Sequence, residues 1–202
     1  RIDLVNEELI LTHFNAYILM SLGLESISLS VGDVLDTRDK VNLPIKQDIK
    51  VFLENMTGKY AGVWSDSFHE LLTKNISGLG KAKWFNKEWL YNQAKSFLNR
   101  FDESFRRWRI LYKQAEDTIQ KAREGMDNPA IQQNSPKMIE LKRQHNIALS
   151  QRSILLNALG QTYGSESEFY IFRYLAAEGF LPGYNFTRLP IRVFVGHKEK
   201  QQ

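Results

Sequence analysis

Residues 86–126 read NKEWLYNQAKSFLNRFDESFRRWRILYKQAEDTIQKAREGM, and this stretch decides the fold of the chain. Between Leu90 and Ile119, apolar residues recur every three or four positions, which is the spacing of one face of an α-helix. Asn86 is a favourable N-cap, and neither glycine nor proline intervenes before Gly125. We therefore expect one uninterrupted helix of about 38 residues, which would be about 57 Å long.

A second helix is predicted to return along the first. Ser135 and Pro136 are typical of an N-cap and a first helical position, and residues 125–135 supply the turn. The apolar side chains that follow repeat at seven-residue spacing, with His145 as a polar member of the series. We expect residues 86–163 to form a long antiparallel, coiled-coil-like hairpin in which His145 sets the register.

Residues 1–85 are predicted to form a compact helical subdomain. Asn6 is a favourable cap for the amphipathic helix that follows it, and a single helical turn is expected at 31–35. Further helices are predicted at 45–56, after a proline in a good first position, and at 66–74.

Residues 164–202 are predicted to contain a short helix, a turn rich in glycine and proline, and a β-strand at 191–195. A lone strand is not stable without partners, so this tail is expected to lead into a following domain. The side chains expected to contact that domain are Phe180, Leu181, Pro182, Tyr184, Phe186 and Arg188. The fold class predicted for the whole chain is therefore mostly α, with one terminal strand.

Positive charge is concentrated in the predicted hairpin. The whole chain has 27 Lys and Arg against 23 Asp and Glu, whereas residues 86–163 have 13 against 8. A helical row of cations can follow a nucleic-acid backbone. The candidate nucleic-acid contacts are Arg100, Arg106, Arg107, Arg109 and Lys113. The alternative is that these cations pair with Asp102, Glu103 and neighbouring domains.

Four aromatic residues lie beside these cations on the predicted helix, namely Phe97, Phe101, Phe105 and Trp108. Aromatic rings can stack on bases. Their regular helical spacing, however, is typical of a core-facing stripe, so we expect them to be buried in the protein.

No motif for catalysis or metal binding is found in the sequence. The absence of cysteine excludes disulfides, thiolate zinc sites and thiol catalysis. The four histidines lack metal-ligand spacing, and residues 78–81 lack the remaining residues of a phosphate-binding loop. No apolar run approaches the roughly 20 residues that cross a bilayer. We therefore expect no catalytic residue, cofactor or metal in this segment, no membrane contact, and a cytoplasmic location.

Parts of the chain resemble large bacterial superfamily 2 helicases of the DEAD/DEAH type, including the helicase subunits of DISARM-like anti-phage defence systems. Residues 1–10, RIDLVNEELI, with His13 after them, are similar to the segment that follows the second motor domain. Residues 105–109, FRRWR, and 169–190, FYIFRYLAAEGFLPGYNFTRLP, look like later landmarks of the same region. Together these stretches span most of the chain.

The resemblance implies a piece of a much larger ATP-driven DNA translocase, situated between the motor and a β-rich domain. ATP and Mg²⁺ are implied for the parent protein only, because the family's nucleotide-binding motifs have no matching positions here. For this segment itself we expect a non-catalytic accessory domain that couples the motor to downstream domains, with the arginine-bearing helix as its candidate DNA contact. The alternative is an arm that docks a partner subunit of a multi-protein defence complex.

Overall fold

The computed structural model describes residues 6–23, 30–76, 78–156 and 170–183, and this part of the chain is mostly helical. Its α-helices are α1 (Glu7–Ser21), α2 (Val31–Val34), α3 (Gln47–Asn75), α4 (Lys87–Lys95), α5 (Phe97–Ser104), α6 (Arg106–Met126), α7 (Pro136–Leu155) and α8 (Ile171–Ala177). A single 3₁₀ turn, Leu79–Lys81, precedes α4. Extended pairing among the described residues is limited to the isolated bridges Ser30–Tyr170 and Leu35–Ile45.

One continuous helix replaces the two helices predicted at 45–56 and 66–74. α3 begins at Gln47, later than predicted, and continues through Gly58 and Gly62 to Asn75. Glycine costs up to about 1 kcal/mol relative to alanine inside a helix, which is too little to break one that is supported by packing. The support comes from its buried face, which contains Leu53, Thr57, Ala61, Trp64, Ser65 and Phe68.

The long helix predicted from Asn86 is interrupted twice, at Ser96 and at Phe105. Both residues have φ near −90° and ψ near 5°, which lies outside the α-helical region. The Ser96 hydroxyl donates to the Asn92 carbonyl at 3.0 Å, a local bond that competes with the helical ladder and often bends it. The prediction of one uninterrupted helix was therefore wrong, and α4, α5 and α6 take its place.

Helices α6 and α7 run antiparallel in close contact. Near one end Gly125 approaches Leu141, and further along Glu116 accepts a hydrogen bond from Arg152 at 2.7 Å. A Cβ at position 125 would lie 2.9 Å from the Leu141 methyl groups, so the glycine permits this approach. In contrast, α4 packs mainly against α3. The part of 86–163 that pairs with α7 therefore begins at Arg106.

The aromatic stripe lies inside the protein, as predicted. Phe97, Phe101, Phe105 and Trp108 are at most 1% exposed. They belong to a hydrophobic core that also contains Phe14 from α1 and residues from α2, α3, α7 and α8. All three predicted segments of the chain thus contribute to one core.

Helix α8 ends in a tight chain reversal. Gly179 has φ 75°, and the Gly179 and Phe180 amides donate to the Ala176 and Leu175 carbonyls at 3.1 and 2.9 Å. This pair of bonds defines a Schellman motif, in which glycine tolerates the left-handed conformation. The short helix and the glycine-containing turn predicted after residue 164 are present here, whereas the strand predicted at 191–195 lies outside the described residues.

Candidate functional site

The guanidinium of Arg100 points into the protein. It donates to the Gln93 carbonyl at 2.8 Å, to the Ser96 hydroxyl at 2.5 Å and to the Asn15 side-chain oxygen at 2.9 Å. Asn15 is 2% exposed and in turn donates to the Phe180 carbonyl at 2.9 Å. Burial lowers the pKa of Arg100 to about 10. Arg100, predicted as a nucleic-acid contact, instead uses its donors within the protein, where they join α5, α1 and the turn after α8.

Arg109 is bound on both sides by protein groups. It donates to the carbonyl and carboxylate of Asp102 at 2.9 and 2.5 Å, and its Nε donates to the Leu43 carbonyl at 2.9 Å. Leu43 is fully buried and has φ 48°, a conformation that L-residues seldom adopt without support. The alternative role, pairing with Asp102, is the one that Arg109 has in the structure.

Arg107 connects α6 to the end of α8. Its Nε lies 2.5 Å from a carboxylate oxygen of Glu178, and its guanidinium lies 5.4 Å from the centre of the Tyr174 ring. The side chain is nevertheless 43% exposed. Arg107 therefore has a structural partner while one side of it still faces solvent.

Arg106 and Lys113 differ from these three arginines. Both are exposed, and neither forms an ion pair with a described residue. With Glu103, Arg109 and Ile110 they line a shallow depression of about 500 Å³ on the outer side of α6. We refer to Arg106, Ile110 and Lys113 as the basic face. Of the five predicted contacts, the structure brings together Arg106, Arg109 and Lys113 there, and places Arg100 and Arg107 elsewhere.

The break between α5 and α6 is bridged by a side chain from α8. In a continuous helix the Trp108 amide would donate to the Ser104 carbonyl, four residues earlier. Here the Tyr174 hydroxyl stands between them, accepting from the Trp108 amide at 3.1 Å and donating to the Ser104 carbonyl at 3.0 Å. Insertion of a side chain into the ladder is a known cause of a helix kink. Tyr174 therefore accounts for the interruption at Phe105.

The Tyr174 hydroxyl lies inside the protein, next to the partly buried Ser104. Tyr174 is fully buried, its ring is stacked on Phe105 with centroids 5.9 Å apart, and burial raises its pKa to about 12. The Trp108 indole nitrogen donates to the Leu155 carbonyl at 3.0 Å, which satisfies a carbonyl at the end of α7. We call Ser104, Phe105, Trp108 and Tyr174 the Tyr174 junction, because α5, α6, α7 and α8 all meet there.

Two of the predicted interdomain contacts are part of the core. Phe180 and Leu181 are 6% and 2% exposed, and the Phe180 ring lies 5.5 Å from that of Phe97 and 5.7 Å from that of Phe101. Both side chains are buried within this chain, so their predicted contact with a neighbouring domain is corrected. Pro182 is half-buried at the edge of the same turn. Tyr184, Phe186 and Arg188 lie outside the described residues.

A groove of about 1080 Å³ runs between the start of α1, α5 and the turn after α8. Its walls include Glu8, Thr12, Asn99, Glu103 and Pro182. Among the described residues no group of three or more His, Asp or Glu side chains could hold a metal ion. The groove therefore offers a mixed polar and apolar surface without a nucleophile–base pair in its walls.

Tyr174, Glu178 and Asn15 organise this region, and only Asn15 is signalled by the sequence. Tyr174 and Glu178 are embedded in an apolar segment, and nothing in their spacing connects them with α6. Asn15 did carry a signal, because it is a polar residue in a run of apolar side chains from Leu9 to Leu22. A buried polar group requires a partner, and the partners of Asn15 are Arg100 and Phe180.

No family model, curated protein or solved structure matches the chain. Among the described helices, none combines the length and the apolar character that a membrane span requires.

Proposed function

We propose that the chain is a non-catalytic accessory domain of an ATP-dependent DNA helicase or translocase. It couples the motor to downstream domains and contacts DNA through the basic face. ATP and Mg²⁺ belong to the motor of the parent protein, which acts in the cytoplasm as part of an antiviral defence system. The finer features of the fold are part of this proposal: α6 and α7 act as a coiled-coil-like arm, and residues 191–195 form a strand of the next domain.

The observation that carries the proposal is the contact between two helicase-like landmarks. Residues 105–109 and the described part of 169–190 are far apart in the sequence, yet they meet through the Arg107–Glu178 ion pair and the Trp108–Tyr174 hydrogen bond. Such contacts would let a displacement of the tail reach the α6–α7 arm. A coupling domain requires this kind of connection, and it supports the proposed role.

The DNA contact rests on Arg106 and Lys113, whose charges face solvent. Each phosphate that such a cation neutralises releases about one counterion, so binding should weaken as salt rises. Glu103, beside them, reduces the local positive potential, which favours weak contact without sequence preference. Ile110 between the two cations offers an apolar surface to sugar or base.

The test is fluorescence anisotropy with labelled single-stranded and duplex DNA between 50 and 200 mM salt. We expect affinity to fall steeply with salt, and the double variant R106E/K113E to bind at least tenfold more weakly. The matched control is K50E/K83E, which reverses two exposed lysines elsewhere that have no ion pair with a described residue. Absence of binding, binding insensitive to salt, or equal losses in both variants would remove the DNA role.

A second candidate function is a protein–protein interaction arm that docks a partner subunit of a defence complex. This candidate is favoured because three of the five predicted nucleic-acid contacts, Arg100, Arg107 and Arg109, bind protein groups. This candidate predicts that the chain ignores DNA and captures its partner through the tip at 126–135. ATP turnover by the 202-residue chain would contradict both candidates.

A further inference from the structure

Helix α7 has a second apolar stripe on the side that does not face α6. Ile139, Ile147 and Ile154 are 63%, 43% and 47% exposed. At 100° per residue, their spacing of eight and seven residues places them within about 80° of one another. The buried residues Met138, Ala148 and Leu155 lie on the other side of the helix.

This stripe is not required by the fold of the described chain. A helix that covers a core on one side normally presents polar residues on the other. Isoleucine is also a weaker helix former than lysine, glutamine or glutamate, because its branched side chain loses rotamer freedom. Three aligned and exposed isoleucines, about 22 Å from first to last, are typical of a surface that another helix covers.

The charges around the stripe indicate which kind of helix would cover it. α7 contains four Lys and Arg but only one acid, Glu140, and both oxygens of Glu140 accept hydrogen bonds from Arg143 at 2.7 Å. Lys142 flanks the stripe and has no ion pair with a described residue. The α6–α7 pair together carries ten Lys and Arg against four Asp and Glu. A second copy would bring like charges together, whereas an acidic helix would complement them.

We propose that the outer face of α7, formed by Ile139, Ile147 and Ile154 with Arg143 between them and Lys142 beside them, docks an acidic amphipathic helix of a partner protein. About four turns of that helix cover the isoleucine stripe, and its flanking carboxylates meet the two cations. This is helix-on-helix recognition through anchors at heptad-like spacing. The proposal does not depend on DNA binding, because the basic face belongs to α6.

The experiment uses the full chain and a defined probe. The probe is a labelled 21-residue peptide of three heptads, with leucine at a and d and glutamate at e and g. Such a peptide resists pairing with itself because its own charges repel. The control peptide has lysine at e and g. We expect the acidic peptide to bind at least tenfold more tightly than the basic one, with affinity that decreases as salt is raised.

Variants locate the binding surface. The triple variant I139Q/I147Q/I154Q should lower the affinity for the acidic peptide at least tenfold. The matched control, M20Q/V63Q/L71Q, replaces three apolar residues that are 73%, 57% and 49% exposed on other helices and should leave it unchanged. Circular dichroism of each variant should match that of the wild type, since every substituted side chain is exposed.

Three outcomes would overturn the proposal. The acidic peptide fails to bind, or both peptides bind equally, or the two triple variants lose the same affinity. A concentration-dependent dimer in sedimentation that disappears in I139Q/I147Q/I154Q would make a second copy the occupant, and it would overturn the choice of an acidic partner. None of these results depends on the DNA-binding experiment, so the two proposals fail separately.

Discussion

Replacement of Tyr174 by phenylalanine tests whether one hydroxyl causes the break between α5 and α6. The substitution keeps the ring that stacks on Phe105 and removes only the oxygen. That oxygen accepts from the Trp108 amide at 3.1 Å and donates to the Ser104 carbonyl at 3.0 Å. Tyr174 and Trp108 are fully buried, so water cannot reach the Trp108 amide without opening the core, whereas Ser104 is only partly buried.

The expected cost follows from these two partners. A buried donor or acceptor without a partner costs about 1–3 kcal/mol. Two such groups, less some relaxation of the backbone, give an expected loss of about 2–4 kcal/mol in the free energy of unfolding for Tyr174→Phe. This is a large fraction of the stability of an ordinary domain.

Urea unfolding followed by circular dichroism measures this loss. The matched control is Tyr91→Phe, at a tyrosine that is 44% exposed, which should change the free energy of unfolding by less than about 0.5 kcal/mol. A change of that small size for Tyr174→Phe would mean that the Trp108 amide bonds directly to the Ser104 carbonyl and the helix becomes straight. The kink would then have another cause.

The same variant alters the dependence of stability on alkaline pH. An unfolded tyrosine ionises near its ordinary pKa of 10, whereas burial raises the pKa of Tyr174 to about 12 in the folded chain. The neutral hydroxyl therefore stabilises the fold fully below pH 10, and this contribution is lost as pH rises to 12. The difference in stability between wild type and Tyr174→Phe should shrink over this interval. A constant difference would contradict the assignment.

Four further substitutions test the packing of the helices and the ion pairs of Glu116. Gly58→Ala and Gly62→Ala should each raise the free energy of unfolding by about 0.5–1 kcal/mol, because both positions lie inside α3 with open space around an added Cβ. If the melting temperatures fell instead, the side of α3 that carries these glycines would have to be covered. Gly32→Ala should lower stability by about 1–3 kcal/mol, because its Cβ would lie 3.1 Å from the Leu156 Cα; unchanged urea unfolding would contradict this. Burial raises the pKa of Glu116, but hydrogen bonds from Arg152 and Lys40 outweigh burial, so the pKa is lowered. Glu116→Gln should therefore reduce the free energy of unfolding by about 1 kcal/mol at neutral pH. In an acid titration, the variant should lose less stability than the wild type as pH falls below 4.5.

Local sequence patterns predicted the elements that depend on local chemistry. Asn6 and Asn86 cap α1 and α4 by accepting from the amides three residues on, at 3.0 and 2.8 Å. Ser135 caps α7 in the same way, with proline in the first turn. The helical spacing from Phe97 to Trp108 correctly predicted which side chains enter the core, because burial follows from which face a residue occupies.

The errors arose where distant residues decide the backbone. The two helices predicted at 45–56 and 66–74 are one helix, α3, because its buried face outweighs the low helical propensity of Gly58 and Gly62. The interruption at Phe105 cannot be read from its neighbours, because the hydroxyl that occupies the ladder belongs to Tyr174. Helical propensity alone predicts a straight helix through this point.

The candidate site was predicted in part for a similar reason. A helical wheel places Arg106, Arg109 and Lys113 on one side of α6, and all three line the same depression. The wheel does not show that Arg109 reaches Asp102 and Leu43, or that Arg100 binds a buried asparagine. A long, flexible side chain chooses its partner from the tertiary surroundings, which helical position does not specify.

Because Tyr174 lies near the C-terminal end of the described chain, the order of synthesis affects when the break between α5 and α6 can form. A ribosome makes the chain from the N-terminus, and helices form far faster than the next 66 residues can be added. Until residue 174 is synthesised, the segment around Phe105 has only its own backbone groups as hydrogen-bond partners, and a straight helix is expected there. We therefore expect the bend to form late, when α8 docks. At that step the bond between the Trp108 amide and the Ser104 carbonyl is replaced by two bonds through the Tyr174 hydroxyl.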